Sequence, residues 1–382
     1  LHSGVAGRGR PVRHRLSQAK SRMSLKSRIA ELIEAQGPIS VAQFMTMALL
    51  DPKQGYYATR DPFGAGGDFT TAPEISQMFG EMAGLWLVQA WADQGSPRNP
   101  RLVELGPGRG TLMADILRVA QVAPDFVADL EVVLVEASPA LQEIQAEKLR
   151  GLGADISWQP QFDDSLTGRP LFLVANEFFD ALPLRQYVKT ERGWCERMVT
   201  VANRDLAFAL APVPVPSSAM PADRADAPDG GVYEASPAAT ALAEDIARTI
   251  TAKGGAALMI DYGYGEAAGF SETLQAVSGH RFAEALTEPG EDDISAHVDF
   301  AALALAGRRG GASVFGPLTQ GMFLANIGIV ERAEQLMKAN PDEAQKLLSA
   351  VERLIGNDQM GRLFKVLAFA PPSVSGMAGF GP

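Results

Sequence analysis

Short apolar runs alternate with stretches of helical periodicity along most of the chain. The runs Leu102 to Leu105, Val132 to Val135, Ile156 to Trp158, Leu171 to Ala175, Ala256 to Ile260, Ala312 to Phe315 and Leu363 to Phe369 are closed by glycine, proline or polar residues, as buried strands are. Between them lie amphipathic helices. Leu112 to Ala120 carries Leu112, Ile116, Val119 and Ala120 on one face, and a helix opened by Ser138-Pro139 carries Leu141, Ile144 and Leu149. Ser138 is expected as N-cap with Pro139 at the first helical position. Further helices are expected from Ser236 or Pro237 to Thr251, into Ala306, and at about Ala325 to Ala339 and Asp342 to Ile355. Ahead of the first strand, Leu25 to Ala35 is stopped by Gly37-Pro38, and Ser40 caps Val41 to Leu50. Ile75 to Ala92 buries Met78, Phe79, Met82, Leu85, Trp86 and Val88. Gln186 to Leu210 reads as an antiparallel meander and Ala211 to Gly231 as a mobile surface loop. The pattern is that of an α/β doubly wound sheet with an N-terminal helical and loop extension and antiparallel and helical inserts.

Candidate chemistry concentrates where strands end. Leu102 to Thr111 reads Leu-Val-Glu-Leu-Gly-Pro-Gly-Arg-Gly-Thr, a strand, a glycine turn and a helix start. Gly106, Gly108 and Gly110 can take positive φ and hold no Cβ against a ligand. The spacing is one residue shorter than the dinucleotide fingerprint, and Glu104 inside the strand suits a cationic amino-acid end better than a pyrophosphate. The loop resembles motif I of class I AdoMet-dependent methyltransferases, with a Rossmann-like sheet as the implied fold. A ligand-free strand-to-helix turn is the plainer reading. Glu136 closes the second strand, where a carboxylate can grip a ribose diol. It stands 30 residues past Gly106, later than the roughly 20 of the dinucleotide fingerprint. A solvated strand end is its alternative.

The fourth strand runs into Asn176-Glu177-Phe178-Phe179-Asp180-Ala181-Leu182-Pro183, where carboxylates beside aromatic rings suit a cation. A helix cap of this composition with both phenylalanines buried is the competing reading. Asp51 to Thr71 is dense in glycine, proline, aspartate and aromatics, as functional loops are. Asp261-Tyr262-Gly263 ends another strand with ligand-facing composition, and His297 is either catalytic or a capping or buried histidine.

Composition narrows the choice. At 382 residues, 46% hydrophobic and 21% charged, the chain has ample material for a core. No apolar stretch approaches the roughly 20 residues that span a bilayer. Cys195 is alone, so no intrachain disulfide forms, and with four histidines it cannot furnish a usual zinc site; no metal is expected. Residues 1–22 hold six of the 34 basic residues and none of the 45 acidic ones, leaving 28 against 45, a net of −17, in the remainder. An acidic body argues against nucleic acid and for a cationic partner. The basic segment has the composition of a transit peptide but little of its amphipathic pattern, and Met23 stands directly before a helix; a disordered upstream extension is expected.

In chain order, Gly-Tyr-Tyr at 55–57, Gly-Asp-Phe-Thr-Thr-Ala-Pro-Glu-Ile-Ser at 67–76, Glu104 to Leu112, Leu-Val-Glu at 134–136, Asn176 to Pro183, Gly254 to Gly263 and His-Val-Asp-Phe at 297–300 resemble the MidA family, bacterial and mitochondrial relatives of complex I assembly factor 7. The resemblance spans about Met23 to Ala370. Its eukaryotic members are protein arginine methyltransferases that symmetrically dimethylate an arginine on a peripheral-arm subunit of NADH:ubiquinone oxidoreductase. It implies AdoMet held by Glu104, Gly106, Gly108, Gly110, Glu136 and Ser138, and a substrate guanidinium near Glu177 and Asp180 with Asn176 beside them. Tyr57, Asp68, Phe69, Thr70, Asp261, Tyr262 and His297 are the expected substrate and lid residues. One departure is Asn176, where mitochondrial members carry histidine.

The implied organisation is a basic extension (1–22), a helical region with a cofactor-covering loop (23–95), an AdoMet-binding core (96–200), a surface insertion (201–235), the remaining sheet with substrate-side helices (236–370) and a tail (371–382). The implied partner is a protein, with no nucleic acid and no membrane insertion; a homodimer is left open. The implied location is the bacterial cytoplasm, or the mitochondrial matrix for a eukaryotic source. The rivals are a small-molecule methyltransferase, a nucleotide-dependent dehydrogenase, disfavoured by Glu104 and the short glycine spacing, and a non-catalytic assembly factor retaining the AdoMet fold.

Overall fold

The computed structural model describes residues 23–59, 70–221, 227–265, 270, 272–279 and 281–381. The basic segment 1–22, Asp68 and Phe69 lie outside them, as do residues 222–226 of the expected surface loop. The main sheet holds β1 (Arg101–Leu105), β2 (Glu131–Val135), β3 (Asp155–Gln159), β4 (Leu171–Asn176), β5 (Gly255–Tyr264), β6 (Ser313–Thr319) and β7 (Phe364–Ala370). They lie in the order β3-β2-β1-β4-β5-β7-β6. Neighbours from β3 through β5 are parallel, and β7 alone is reversed, antiparallel to both β5 and β6. The strand order turns back between β1 and β4, so a crevice opens at the carboxyl ends of those two strands.

The longer helices are α1 (Leu25–Gln36), α2 (Val41–Leu50), α3 (Gln77–Asp93), α4 (Thr111–Ala120), α5 (Pro139–Lys148), α6 (Pro237–Lys253), α7 (Phe300–Arg309), α8 (Gln320–Asn326), α9 (Ile329–Ala339) and α10 (Ala344–Ile355). The strands read as unbroken apolar runs because both faces are covered. Leu102, Val132, Leu134, Phe172, Val174, Leu258 and Ile260 share a core with α3, α4 and the C-terminal helices. Their alternating neighbours Val103, Leu105, Val133, Leu173, Ala175, Ala257 and Met259 share another with α6 and α7. The period of two along each strand builds both cores at once. Among the described residues no helix is long and apolar enough to cross a membrane.

The meander forms as Arg185–Thr190, Gly193–Ala202 and Asp205–Leu210, completed by Val232–Ala235 and the two-residue strand Ile39–Ser40. Ile29, Phe44 and Met45 of α1 and α2 pack against its Val199 and Leu206 in a third core. At the start of α2, Ser40 Oγ accepts from Gln43 N (3.1 Å) while Gln43 Oε1 accepts from Ser40 N (2.9 Å), a reciprocal capping box.

Several boundaries depart from the pattern. The helix expected from Ile75 starts at Gln77, because Ser76 is extended (φ −159°) and its Oγ accepts from Met78 N, leaving one helical turn at Ala72–Ile75. Leu85 of α3 is exposed rather than buried, since the core-facing side runs through Met82, Trp86 and Leu87. The helix expected over 325–339 divides at Gly328, whose φ of +94° ends α8 and opens α9. Ser138 occupies the N-cap position of α5 without capping it; its own N–H donates to Glu136 Oε1 (2.8 Å) instead. On α5 the buried positions are Leu141 and Gln145, while Ile144 is only half-buried. A three-stranded sheet of Gln275–Ser278, Arg281–Ala283 and Asp293–Ser295 was not visible in the pattern, and Val298–Asp299 pairs with the far end of β5.

Candidate active site

The glycine loop leaves β1 with Gly106, Gly108 and Gly110 at φ of +62°, +51° and +76°. A Cβ on Gly106 would stand 2.8 Å from the Phe178 ring, so the loop packs directly on the turn that follows β4. Loop, turn and the segment 71–74 line a partly open cleft, at which Glu104, Gly106, Gly108, Asn176 and Glu177 are brought together. Gly110 instead caps α4 and faces Gln145. Glu104 is 3% exposed; it takes the Met113 N–H, while its Oε2 has no partner. Burial pushes its carboxyl up to about 8.

Glu136 is half-buried at the end of β2, with Oε1 on the Ser138 N–H (2.8 Å) and Oε2 on Gln145 Nε2 (3.2 Å). Burial raises its pKa as well. Gln145, fully buried, also donates to Gly108 O (2.8 Å) and accepts from the Trp158 indole (2.8 Å). One side chain therefore ties the glycine loop to the acid of β2. Sequence reasoning missed it; the signal was a polar residue one helical turn beyond Leu141, on the apolar side of α5. Glu74 and Thr111 were also missed. Thr111 Oγ1 donates to Glu74 Oε1 (2.5 Å) and receives Lys148 Nζ (2.6 Å), fastening the segment over the cleft to the first turn of α4.

The turn after β4 is held from beneath. Asp261 of β5, 1% exposed, accepts the N–H groups of Phe178 (3.1 Å), Phe179 (2.9 Å) and Asp180 (3.2 Å) on Oδ2 and that of Tyr262 on Oδ1 (2.9 Å). It organises the turn and does not line the cleft. Glu177 sits at φ +51°, an uncommon conformation for a non-glycine residue at a site. Its Oε1 accepts from Ala72 N (3.1 Å) and Asn176 Nδ2 (3.0 Å), leaving Oε2 for a ligand. Burial pushes Glu177 up to about 7 and Asp180 up to about 6; Asp261 is raised well above its usual range by burial and by the charges of Asp180 and Glu177. Among the described residues none of these three carboxylates is ion-paired.

Asp180 lies apart from the cleft, 9% exposed, hydrogen-bonded to the Tyr262 hydroxyl, which also meets Ser295 Oγ. Tyr57 donates to Asp293 Oδ1 (2.9 Å) rather than to the cleft, and Thr70 is half-buried and not among the residues lining the cleft. His297 is half-buried with its ring edge-on to Tyr262 (5.5 Å), and burial lowers its pKa. Among the described residues no cluster could hold a metal ion.

A sheet with β7 alone reversed, a glycine loop after β1 and an acid at the end of β2 define a class I AdoMet-dependent methyltransferase. The residues fit that cofactor. Glu104 offers an unpartnered buried oxygen that would suit its ammonium, and Gly106 and Gly108 would let the backbone approach; Glu136 is not among the residues lining the cleft, and its two oxygens accept from Ser138 N and Gln145 Nε2. Residues 82–318 match the model of a family described as "Putative S-adenosyl-L-methionine-dependent methyltransferase". The chain is 37% identical to the Xenopus tropicalis protein arginine methyltransferase NDUFAF7, mitochondrial, over 89% of this chain and 84% of that protein. The human protein of that name is also 37% identical, over 89% and 81%. A Burkholderia thailandensis structure bound to S-adenosyl-homocysteine superposes with a TM-score of 0.81 at 31% identity, covering 93% of this chain and 94% of that one. The chain belongs to this family of AdoMet-dependent methyltransferases.

Proposed function

We propose that the protein methylates an arginine side chain of a protein, with Glu177 as the residue that holds and deprotonates the guanidinium. The observation that carries this is the acid cluster at the ends of β4 and β5, which forms no ion pair among the described residues, Arg353 acting on Glu177 only at longer range, and whose Glu177 lines the cofactor cleft with Oε1 held by Ala72 and Asn176. Buried unpaired carboxylates are costly, and a guanidinium with its forked donors is the cation that matches them. The relatives named protein arginine methyltransferase support the same acceptor.

Bound AdoMet supplies a methyl group on a sulfonium, which leaves readily. The protein's own work is to place one guanidinium nitrogen in line, at about 3 to 3.5 Å, and to exclude water. Arginine is protonated at any pH the protein meets, so a proton must leave before a nitrogen lone pair can attack. Glu177, with a carboxyl near 7 before the cation arrives, is matched to accept it. Asn176 and the Ala72 N–H fix the carboxylate plane by occupying Oε1. A peripheral-arm subunit of NADH:ubiquinone oxidoreductase is the proposed target, which sets the location as the compartment where that arm is assembled: mitochondrial for the named relatives, the cytoplasm in a bacterium.

Glu177→Gln keeps shape and removes the base. Transfer of labelled methyl to lysate protein should fall about a hundredfold or more, while AdoMet affinity by calorimetry stays within about twofold of wild type. Unchanged transfer would remove Glu177 from this role. Wild-type protein that binds AdoMet and captures a partner without ever labelling it would favour the assembly-factor reading.

A further inference from the structure

A second pocket, partly open to solvent, lies on the other side of the turn from the cofactor cleft. Asn176 and Glu177 line the first and Phe179 and Asp180 the second, and the two share no lining residue. The second is walled by apolar side chains, among them Phe179, Leu182, Leu184 and Leu303, at the N-termini of α6 and α7. Three acids line it, Asp180, Glu234 and Asp299, and among the described residues no lysine or arginine does.

Two of those acids are engaged by the fold. Glu234 accepts from Gln186 Nε2 (2.8 Å), Thr273 N (3.0 Å), Thr273 Oγ1 (2.5 Å) and Leu274 N (3.2 Å). Asp299 caps α7 through Ala302 N (2.9 Å). Asp180 is engaged only in part, by the Tyr262 hydroxyl and the Ala181 N–H; it is more than nine-tenths buried, and its Oδ1 has no hydrogen-bond partner among the described residues. Such an oxygen is expensive unless something answers it. His297, also lining the cavity, is held toward its neutral form by burial and does not oppose a cation there.

Resting on the arginine-methylation reading, we propose that this cavity receives a second basic side chain of the protein substrate, distinct from the methyl acceptor. The hydrocarbon stem of a lysine or arginine lies along Phe179, Leu182, Leu184 and Leu303, and its charged head reaches Asp180. Glu177 and Asp180 stand three residues apart on one rigid turn, so the substrate presents two cations, one to each cavity. Recognition then depends on a pair of basic residues rather than on a single arginine.

The test titrates N-butylguanidinium into the full chain saturated with S-adenosyl-homocysteine, followed by NMR. Wild type should show two saturable sites. Asp180→Asn should weaken one of them about tenfold or more, and Glu177→Gln should weaken the other. Thr240→Arg, at a half-buried wall position that does not line the cofactor cleft, should block the site that Asp180→Asn weakens and leave S-adenosyl-homocysteine affinity unchanged. Thr240→Arg carries the test if Asp180→Asn fails to fold. Binding that both Asp180→Asn and Thr240→Arg leave as in wild type would overturn the second site. Loss of the Asp180 site with no effect of Glu177→Gln on any guanidinium site would spare this cavity and count against the methylation reading.

Discussion

At the scale of single residues, Glu104 ties cofactor chemistry to a measurable pH dependence. Its carboxyl sits at about 8 in the folded protein against an ordinary 4.5. Between those values the folded chain keeps a proton that the unfolded chain releases, so the contribution of Glu104 to stability falls as pH rises through that window. Glu177, at about 7, acts in the same direction. Glu104→Gln abolishes the Glu104 titration. Urea unfolding at pH 5 and pH 8 should show the variant gaining on wild type by the order of a few kcal/mol. A constant difference would mean that Glu104 is ionised in the cleft. The ammonium of AdoMet reverses the sign for binding, because it favours the carboxylate. Calorimetry of wild type near pH 7, in buffers of differing ionisation enthalpy, should register release of up to about one proton on binding. Glu104→Gln should register a smaller release.

At the scale of elements, two strand ends depend on partners far away in sequence. Asp261→Ala deprives the Phe178, Phe179 and Asp180 N–H groups of their acceptor, at about 1–3 kcal/mol for each buried group left unpaired. The melting temperature should fall and methyl transfer should drop more than AdoMet affinity does. Equal losses of both would make Asp261 a general prop of the sheet instead. Gln145→Leu keeps α5 packed while releasing Glu136 and the Gly108 carbonyl, so AdoMet affinity should fall about tenfold with secondary structure intact by circular dichroism. These elements also mark what the chain made legible. Glu104 and Gly106 stood out because they sit inside one strand-turn unit with a local spelling, and Glu136 because it closes the next strand. Asp261 was visible at a strand end, yet its role depends on amides some 80 positions earlier. Gln145 was hidden because apolar periodicity counts a buried polar residue as a flaw. The breaks at Ser76 and Gly328 are single-residue backbone events within otherwise periodic helices. The sheet at 275–295 escaped because strands of three or four residues carry too little alternation to register.

For the whole molecule, charge is the property that acts beyond any contact. Residues 23–382 carry 28 basic against 45 acidic side chains, and the acids of the turn form no ion pair among the described residues. A protein substrate with exposed arginine and lysine is therefore drawn toward this surface before it is recognised. Such attraction raises association rates by about 10 to 10³ and is screened over a Debye length, roughly 30 Å at 0.01 M salt and 3 Å at 1 M. Held groups within the cleft are screened far less. With a basic protein substrate, kcat/KM should fall at least about tenfold between low and high salt while kcat at saturation stays nearly constant. The affinity for AdoMet, proposed to be held against buried Glu104 and the glycine loop, should change much less over the same range. If kcat/KM instead stayed flat, the acidic surface would have no part in capture, and selectivity would rest on the cavities beside Glu177 and Asp180 alone.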